Sequence, residues 1–267
     1  MLTRLELREP ATGEVLLVSD TDGDSLWSRV IAHAVRLTGI DTVVHLGDSR
    51  GGSARLARER WADLGRRVGD AGGTIYWLAG NHCHPLSDLV PDGKDHELRK
   101  APWKSTYLLP RTSTWTWHGR RWLAVQGAVS LDWPTREARG FSAEAEITSE
   151  EEATQIIESG VQADVLISHD APWQPATAGT ISARTNNRMG FSRTLLEASR
   201  VHSERLSRIY RAVGEPKVVA HGHMHLGGIE RRDGTTVVSV GAKFGGVSIV
   251  RVDLSSLAME AVPWSPE

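Results

Sequence analysis

Val15-Leu16-Leu17-Val18-Ser19-Asp20-Thr21-Asp22-Gly23-Asp24 is the stretch on which the fold turns. Its unbroken apolar run reads as a strand covered on both faces. The polar tail then falls at the strand's C-terminal end, where an open α/β sheet presents its ligand site. Asp24 can cap the segment that follows. There Trp27, Val30, Ile31, Ala34 and Leu37 recur at helical spacing before Gly39. Thr42–Leu46 is a second apolar run and ends in Gly47-Asp48. A helix from about Ser53 to Val68, with Trp61, Leu64 and Val68 inward, leads to the run Thr74–Ala79 and to Gly80-Asn81-His82. Strand, helix, strand, helix, strand implies a parallel sheet.

Working outward, Leu2–Arg8 and Glu14–Ser19 read as a hairpin around Pro10-Ala11-Thr12-Gly13. Residues 84–111 are polar and punctuated by proline, so a loop with at most a short helix is expected. Thr112–Trp117 and Arg121–Gln126 alternate around His118-Gly119-Arg120, a second hairpin. Ser149 and Glu152 form a capping-box pattern for a helix ending near Gly160. The run Val165–Ser168 ends in His169-Asp170. A loop over 171–191 carries Arg184-Thr185-Asn186-Asn187-Arg188, and a helix over roughly 192–213 follows. Val218–His221 then leads to Gly222-His223-Met224-His225, and Thr235–Val240 and Val247–Val252 read as strands around a Gly-rich turn.

The chain has 267 residues, 40% apolar and 24% charged, with a net charge of −2. A single domain over 1–267 is expected, since no composition break marks a linker. The charge balance advertises neither a basic nucleic-acid footprint nor a membrane surface. Cys83 is the one cysteine, so no internal disulfide forms; this fits a reducing compartment, and a cytoplasmic location is expected. The N-terminus lacks the apolar core of a signal peptide, and no stretch approaches the roughly 20 apolar residues of a membrane span.

Five strand ends thus bring Asp20, Asp22, Asp48, Asn81, His169, His223 and His225 to one region. The Asp and Asn blocks alone are ordinary turn chemistry, whereas His223-Met224-His225, preceded by glycine after a buried run, is a moderately specific metal signal. Together they mix hard oxygens with imidazoles, the donor set of a pair of divalent ions.

The ordered blocks resemble those of the calcineurin-like metallophosphoesterases: Asp-x-His, Gly-Asp, Gly-Asn-His, His, then Gly-His-x-His. The resemblance spans residues 20–225. It implies a four-layer αββα sandwich of two mixed sheets flanked by helices, with a dimetal site at the strand C-terminal ends. It also implies roles. Asp20 and His225 bind one metal, with Asp22 where the family has His. Asp48 bridges both metals, and Asn81, His169 and His223 bind the second. His82 stands beside the leaving-group oxygen as proton donor or charge stabiliser. The activity implied is hydrolysis of phosphate esters by a hydroxide held between the metals.

Two departures qualify this. The carboxylate of Asp22 is harder than an imidazole and anionic, which favours Mn²⁺ as cofactor, with Mg²⁺, Fe, Ni²⁺ and Zn²⁺ as alternatives. Gly47-Asp48-Ser49-Arg50-Gly51 lacks the second Asp of the Ser/Thr protein phosphatases, which argues against that branch. Arg50, Arg184 and Arg188 are candidates to bind substrate, a phosphate ester such as a nucleotide or nucleic-acid end. Phosphodiesters are slightly favoured, and phosphomonoesterase activity is the alternative. The rival reading is a non-catalytic scaffold of the same fold that binds a protein partner.

Overall fold

The computed structural model describes residues 2–48, 54–83, 98–101, 105–132, 146–187, 190–243 and 245–264. Its first short strand, β1 (Thr3–Arg4), is followed by β2 (Glu14–Val18), β3 (Thr42–His45) and β4 (Thr74–Trp77). The last three lie side by side in parallel. They are joined by α1 (Ser25–Thr38) and α2 (Ala54–Asp70). Asp24 caps α1 by accepting the amides of Leu26 and Trp27 at 2.8 and 3.0 Å. Gly39, at φ 70°, closes it in the left-handed conformation that glycine adopts without steric cost.

Next come β5 (Arg99–Lys100), β6 (Thr106–Leu108), β7 (Thr112–Trp117), β8 (Arg120–Val125) and α3 (Glu150–Glu158). The capping box of α3 forms as expected between Ser149 and Glu152. β9 (Val165–Ser168), α4 (Ala178–Thr185), α5 (Arg193–Ala212) and β10 (Val218–His221) follow. The chain ends through β11 (Gly228–Arg232), β12 (Thr235–Ser239), β13 (Ile249–Asp253) and β14 (Met259–Ala261).

Two sheets result, ordered β14-β13-β2-β3-β4-β6-β5 and β1-β7-β8-β9-β10-β12-β11. Side-chain alternation sorts each strand between two layers. Val15, Leu17, Val44, Leu46, Tyr76 and Leu78 face the second sheet and meet Trp117, Ala124, Ile167 and Ala220. Leu16, Val18, Val43, Ile75 and Trp77 face α1 and α2. Leu123, Val125, Leu166 and Val219 face α3 and α5 on the far side. This is the expected four-layer αββα sandwich.

Five local expectations fail. The turn after Pro10 forms, with Gly13 donating to the Pro10 carbonyl at 3.1 Å, but its arms separate. β1 pairs with β7 in the second sheet, whereas β2 lies between β13 and β3 in the first. All four apolar residues of β2 are fully buried. Each is worth about 1.5–3 kcal/mol in that state, so an interior position outweighs a local hairpin. Likewise β12 and β13 belong to different sheets, and β12 instead forms a hairpin with β11. The described parts of 84–111 contain β5 and β6, which extend the first sheet. The loop over 171–191 contains α4. In α1, Leu37 is exposed and Val35 is buried. No helix among the described residues is long and apolar enough to cross a membrane.

Candidate metal centre

Because β2, β3, β4, β9 and β10 run parallel within their sheets, their C-terminal ends share one edge of the sandwich. Backbone bonds lock the loops together there. Asp20 N–H donates to Gly47 O (2.9 Å), Asp22 N–H to Asp48 O (3.0 Å) and Gly222 N–H to His169 O (3.0 Å). Two side chains cross from one sheet to the other. His169 Nδ1 donates to Leu46 O at 2.7 Å, and Asp20 Oδ2 accepts His223 N–H at 3.0 Å.

Asp20, Asp48, Asn81 and His169 are buried. His169 Nδ1 carries the proton given to Leu46, so Nε2 of the neutral ring presents a lone pair. That lone pair faces two oxygens, Asn81 Oδ1 at 2.9 Å and Asp48 Oδ2 at 3.3 Å. Three electron-rich atoms facing one another require a positive charge between them. A second proton on His169 is one source. Burial disfavours it, but Asp48 outweighs burial and lifts His169 to about 9. A cation is the other source. Burial alone would raise the Asp48 carboxyl, yet His169, with His82 and His223 beyond it, holds it well below the usual carboxylate range. Burial lowers His223 to about 4, leaving a neutral imidazole suited to ligation. Donor atoms of Asp48, His169 and His223 all lie within 4.8 Å of one another.

The first half of the site is more open. His225 Nε2 stands 3.3 Å from Asp20 Oδ1 and 4.0 Å from Asp22 Oδ2. Asp20 beside it raises His225 to about 8. Asp20 Oδ1 and Asp48 Oδ2 are both buried, make no well-formed hydrogen bond, and face only an imidazole Nε2 at 3.3 Å, of His225 and His169 respectively. A buried carboxylate oxygen so poorly satisfied is costly. Two of them, one in each half of the site, fit a pair of cations.

The two-residue spacing of Asp20 and Asp22 would place both carboxylates on one side of a continuing strand, but the structure brings them together otherwise. β2 ends at Val18, and strand alternation does not carry the two carboxylates. Instead Asp20, Asp22, Asp48, His223 and His225 all have positive φ, between 48° and 65°. Asp and His tolerate this region better than most residues. Five such residues in one place still store about 1 kcal/mol or more each, a pattern that marks functional sites. Glycine makes the loops fit: a Cβ on Gly80 would lie 2.2 Å from Asp48 Oδ1, and one on Gly222 would lie 1.9 Å from Ser19 Oγ.

The remaining expected residues divide. His82 N–H donates to Asp48 Oδ1 at 2.8 Å, and its Nε2 lies 3.7 Å from Asp132 Oδ1. Cys83 is buried, and its sulfur accepts Gly80 N–H at 3.1 Å. Arg184 is not in a loop. It sits on α4 and pairs with Asp170 at 2.8 Å, donating as well to the carbonyls of Ala171 and Pro172. Arg50 and Arg188 lie outside the described residues.

Five residues escaped the sequence reading. Ser130 accepts Asn81 Nδ2 at 2.9 Å and donates to Glu146 at 2.7 Å, turning Asn81 Oδ1 towards His169. β8 runs parallel to β9, so Ser130 and Asp132 belong to a sixth strand end. Reading β8 as half of a hairpin concealed it. His45 accepts Gly47 N–H and donates to Thr21 Oγ1 at 3.1 Å, tying two metal loops together. His202 donates to Asp170 at 2.8 Å. A histidine in a buried run must find a partner, which was the available signal for His45.

A family model described as calcineurin-like phosphoesterase matches residues 14–227. The structure is similar to TT1561 of Thermus thermophilus, at 14% identity and TM-score 0.57, covering 92% of this chain and 96% of that one. It is also similar to a dimetal phosphatase from Danio rerio, at 13% identity and TM-score 0.54, covering 89% and 91%. No curated protein sequence matches significantly. The chain belongs to the calcineurin-like phosphoesterase family and is a hydrolase acting on ester bonds.

Proposed function

We propose that this hydrolase cleaves phosphodiesters, nucleotide or nucleic-acid derived, with two divalent cations of which Mn²⁺ is the preferred species. The observation that carries the metal reading is the convergence of donor atoms of Asp48, His169 and His223 within 4.8 Å of one another, with the buried oxygens Asp20 Oδ1 and Asp48 Oδ2 lacking a well-formed hydrogen bond. Asp20, Asp22, Asp48 and His225 would hold one cation; Asp48, Asn81, His169 and His223 would hold the other. When bound, such a pair supplies a water nucleophile at neutral pH and neutralises the ester's charge.

The chain's own residues do the rest. Leu46 O and the Ser130–Glu146 pair fix His169 and Asn81 in the ligating orientation. His82 follows Asn81 in the same turn, and its Nε2 lies 3.7 Å from Asp132 Oδ1. It would donate a proton to the departing alkoxide. Asp22 supports the preference for diesters. Its extra negative charge repels a dianionic monoester more than a monoanionic diester. It also supports a hard cation such as Mn²⁺. We read 1–267 as one such domain, acting in the cytoplasm.

The test is a panel of phosphomonoesters and of linear and cyclic diesters, assayed with Mn²⁺, Mg²⁺, Ni²⁺ and Zn²⁺ after chelation. Diester hydrolysis that is restored best by Mn²⁺ supports the proposal. Monoester hydrolysis without diester hydrolysis refutes it.

A further inference from the structure

Beside the metal centre lies a cavity of about 220 Å³. Leu131, Trp173, Phe191, Leu196 and Met224 form its apolar wall, and none of them is fully buried. Two of these residues tie it to the site. Met224 separates His223 from His225, and Leu131 separates Ser130, which holds Asn81, from Asp132, which faces His82. The cavity therefore lies at the same end of the sandwich as the metal ligands, lined by chain neighbours of His223, His225, Ser130 and Asp132. By contrast, a larger groove of about 680 Å³ is lined by β7 and by residues 160–162, which precede β9. It lies at the opposite end of the strands.

Trp173 sets the shape. Trp27, Trp61, Trp77, Trp115, Trp117 and Trp122 are buried in the core, whereas Trp173 is half-exposed on this wall. Its backbone N–H donates to Ser203 O at 2.9 Å. The Arg184 guanidinium lies 5.8 Å from the centre of its ring, and Arg184 is itself fixed by Asp170. The indole is thus held before anything binds, which removes an ordering cost from a flat partner. Arg193, Ser199 and an Arg200–Glu197 ion pair complete the lining. The volume is enough for one ring system.

We propose that this cavity is the leaving-group subsite and that it takes a flat, uncharged aromatic ring, whether aryl or nucleobase. The proposal rests on the phosphoesterase reading above and names the part of the ester that the metal ligands leave undefined. Apolar walls and a rigid indole select by area and stacking.

The test uses the Mn²⁺-loaded full chain and esters matched in leaving-group acidity. Methyl 2-naphthyl phosphate is compared with methyl hexafluoroisopropyl phosphate. The methyl ester of adenosine 5′-phosphate is compared with its base-free ribose counterpart. Ala183, an exposed residue of α4 lining the cavity, is replaced by tryptophan to fill it. The wild type should prefer the flat member of one pair by about tenfold or more in kcat/KM. Ala183→Trp should bring that ratio close to one by lowering kcat/KM for the flat member more than for its counterpart. The pair that responds identifies aryl or base. A second readout does not need turnover: calorimetry with 2-naphthyl methylphosphonate should show binding that Ala183→Trp weakens by a similar factor. Hydrolysis with neither the ratios nor the binding responding to Ala183→Trp overturns the subsite. Binding that responds, in a protein that hydrolyses none of these esters, supports the subsite and overturns the phosphodiesterase reading instead.

Discussion

Gly80→Ala tests the metal centre without altering any ligand. The new methyl would lie 2.2 Å from Asp48 Oδ1 and 2.6 Å from His169 Nε2. Ordinary contact requires about 1 Å more, and the neighbours are close-packed. Gly80 does not have positive φ, so the backbone itself accepts alanine and the effect is steric. Overpacking of this kind costs about 1–3 kcal/mol. Moving Asp48 also strains its 2.8 Å bond from His82 N–H, a bond to a charged group worth about 1.5–3 kcal/mol. The two penalties overlap, so a total near 3 kcal/mol is expected. At about 2–4 °C per kcal/mol for a chain of this size, Tm in EDTA should fall by about 6–12 °C. Displaced ligands should lower Mn²⁺ affinity by about 10–100-fold. Calorimetric melting and Mn²⁺ titration measure the two effects. Gly228→Ala is the control, since a Cβ there meets nothing within 4 Å. If Gly80→Ala melts and binds Mn²⁺ like the wild type, Asp48 and His169 do not converge at Gly80, and the centre is not built as described.

Asp48→Asn should abolish hydrolysis and lower metal stoichiometry, read by elemental analysis after dialysis; retained activity would remove Asp48 from the centre. His82→Ala should keep its metal but lose kcat, more on an alkyl ester than on an activated nitrophenyl ester. Equal losses on both esters would count against the leaving-group role. Asp22→His should shift metal preference away from Mg²⁺ and raise the ratio of monoesterase to diesterase activity; an unchanged profile would reduce Asp22 to a turn residue. Glu152 is pushed up by burial, but Arg111 at 2.6 Å and the cap of α3 hold it below its ordinary value near 4.5. Its contribution is therefore present above that value and is lost as pH falls through the lower, folded one. The Tm advantage of wild type over Glu152→Gln should be constant near neutrality and shrink below about 4.5.

The sequence by itself determined the framework. Apolar runs in β2, β3, β4, β9 and β10 have the length and two-sided hydrophobicity of covered strands. The polar blocks that follow them carry the candidate ligands in a fixed order. Caps such as Asp24 and Ser149 were legible because they act within one turn of chain. The tertiary structure decided what depends on distant partners. Which sheet receives β1, β12 and β13 follows from where apolar faces are best covered, and no local turn reports that. Arg184 looked like an exposed loop cation and is instead held by Asp170. Ser130 and Glu146 became part of the site when β8 aligned beside β9 and brought a sixth strand end to the metals. Asp20 and Asp22 show the same division within two residues. Their spacing indicated a shared target, but strand alternation does not bring them there. Left-handed turns do, held by bonds to the carbonyls of Gly47 and Asp48 on the neighbouring loop. A strained backbone persists only where its surroundings fix it, and those surroundings exist only once both sheets have packed.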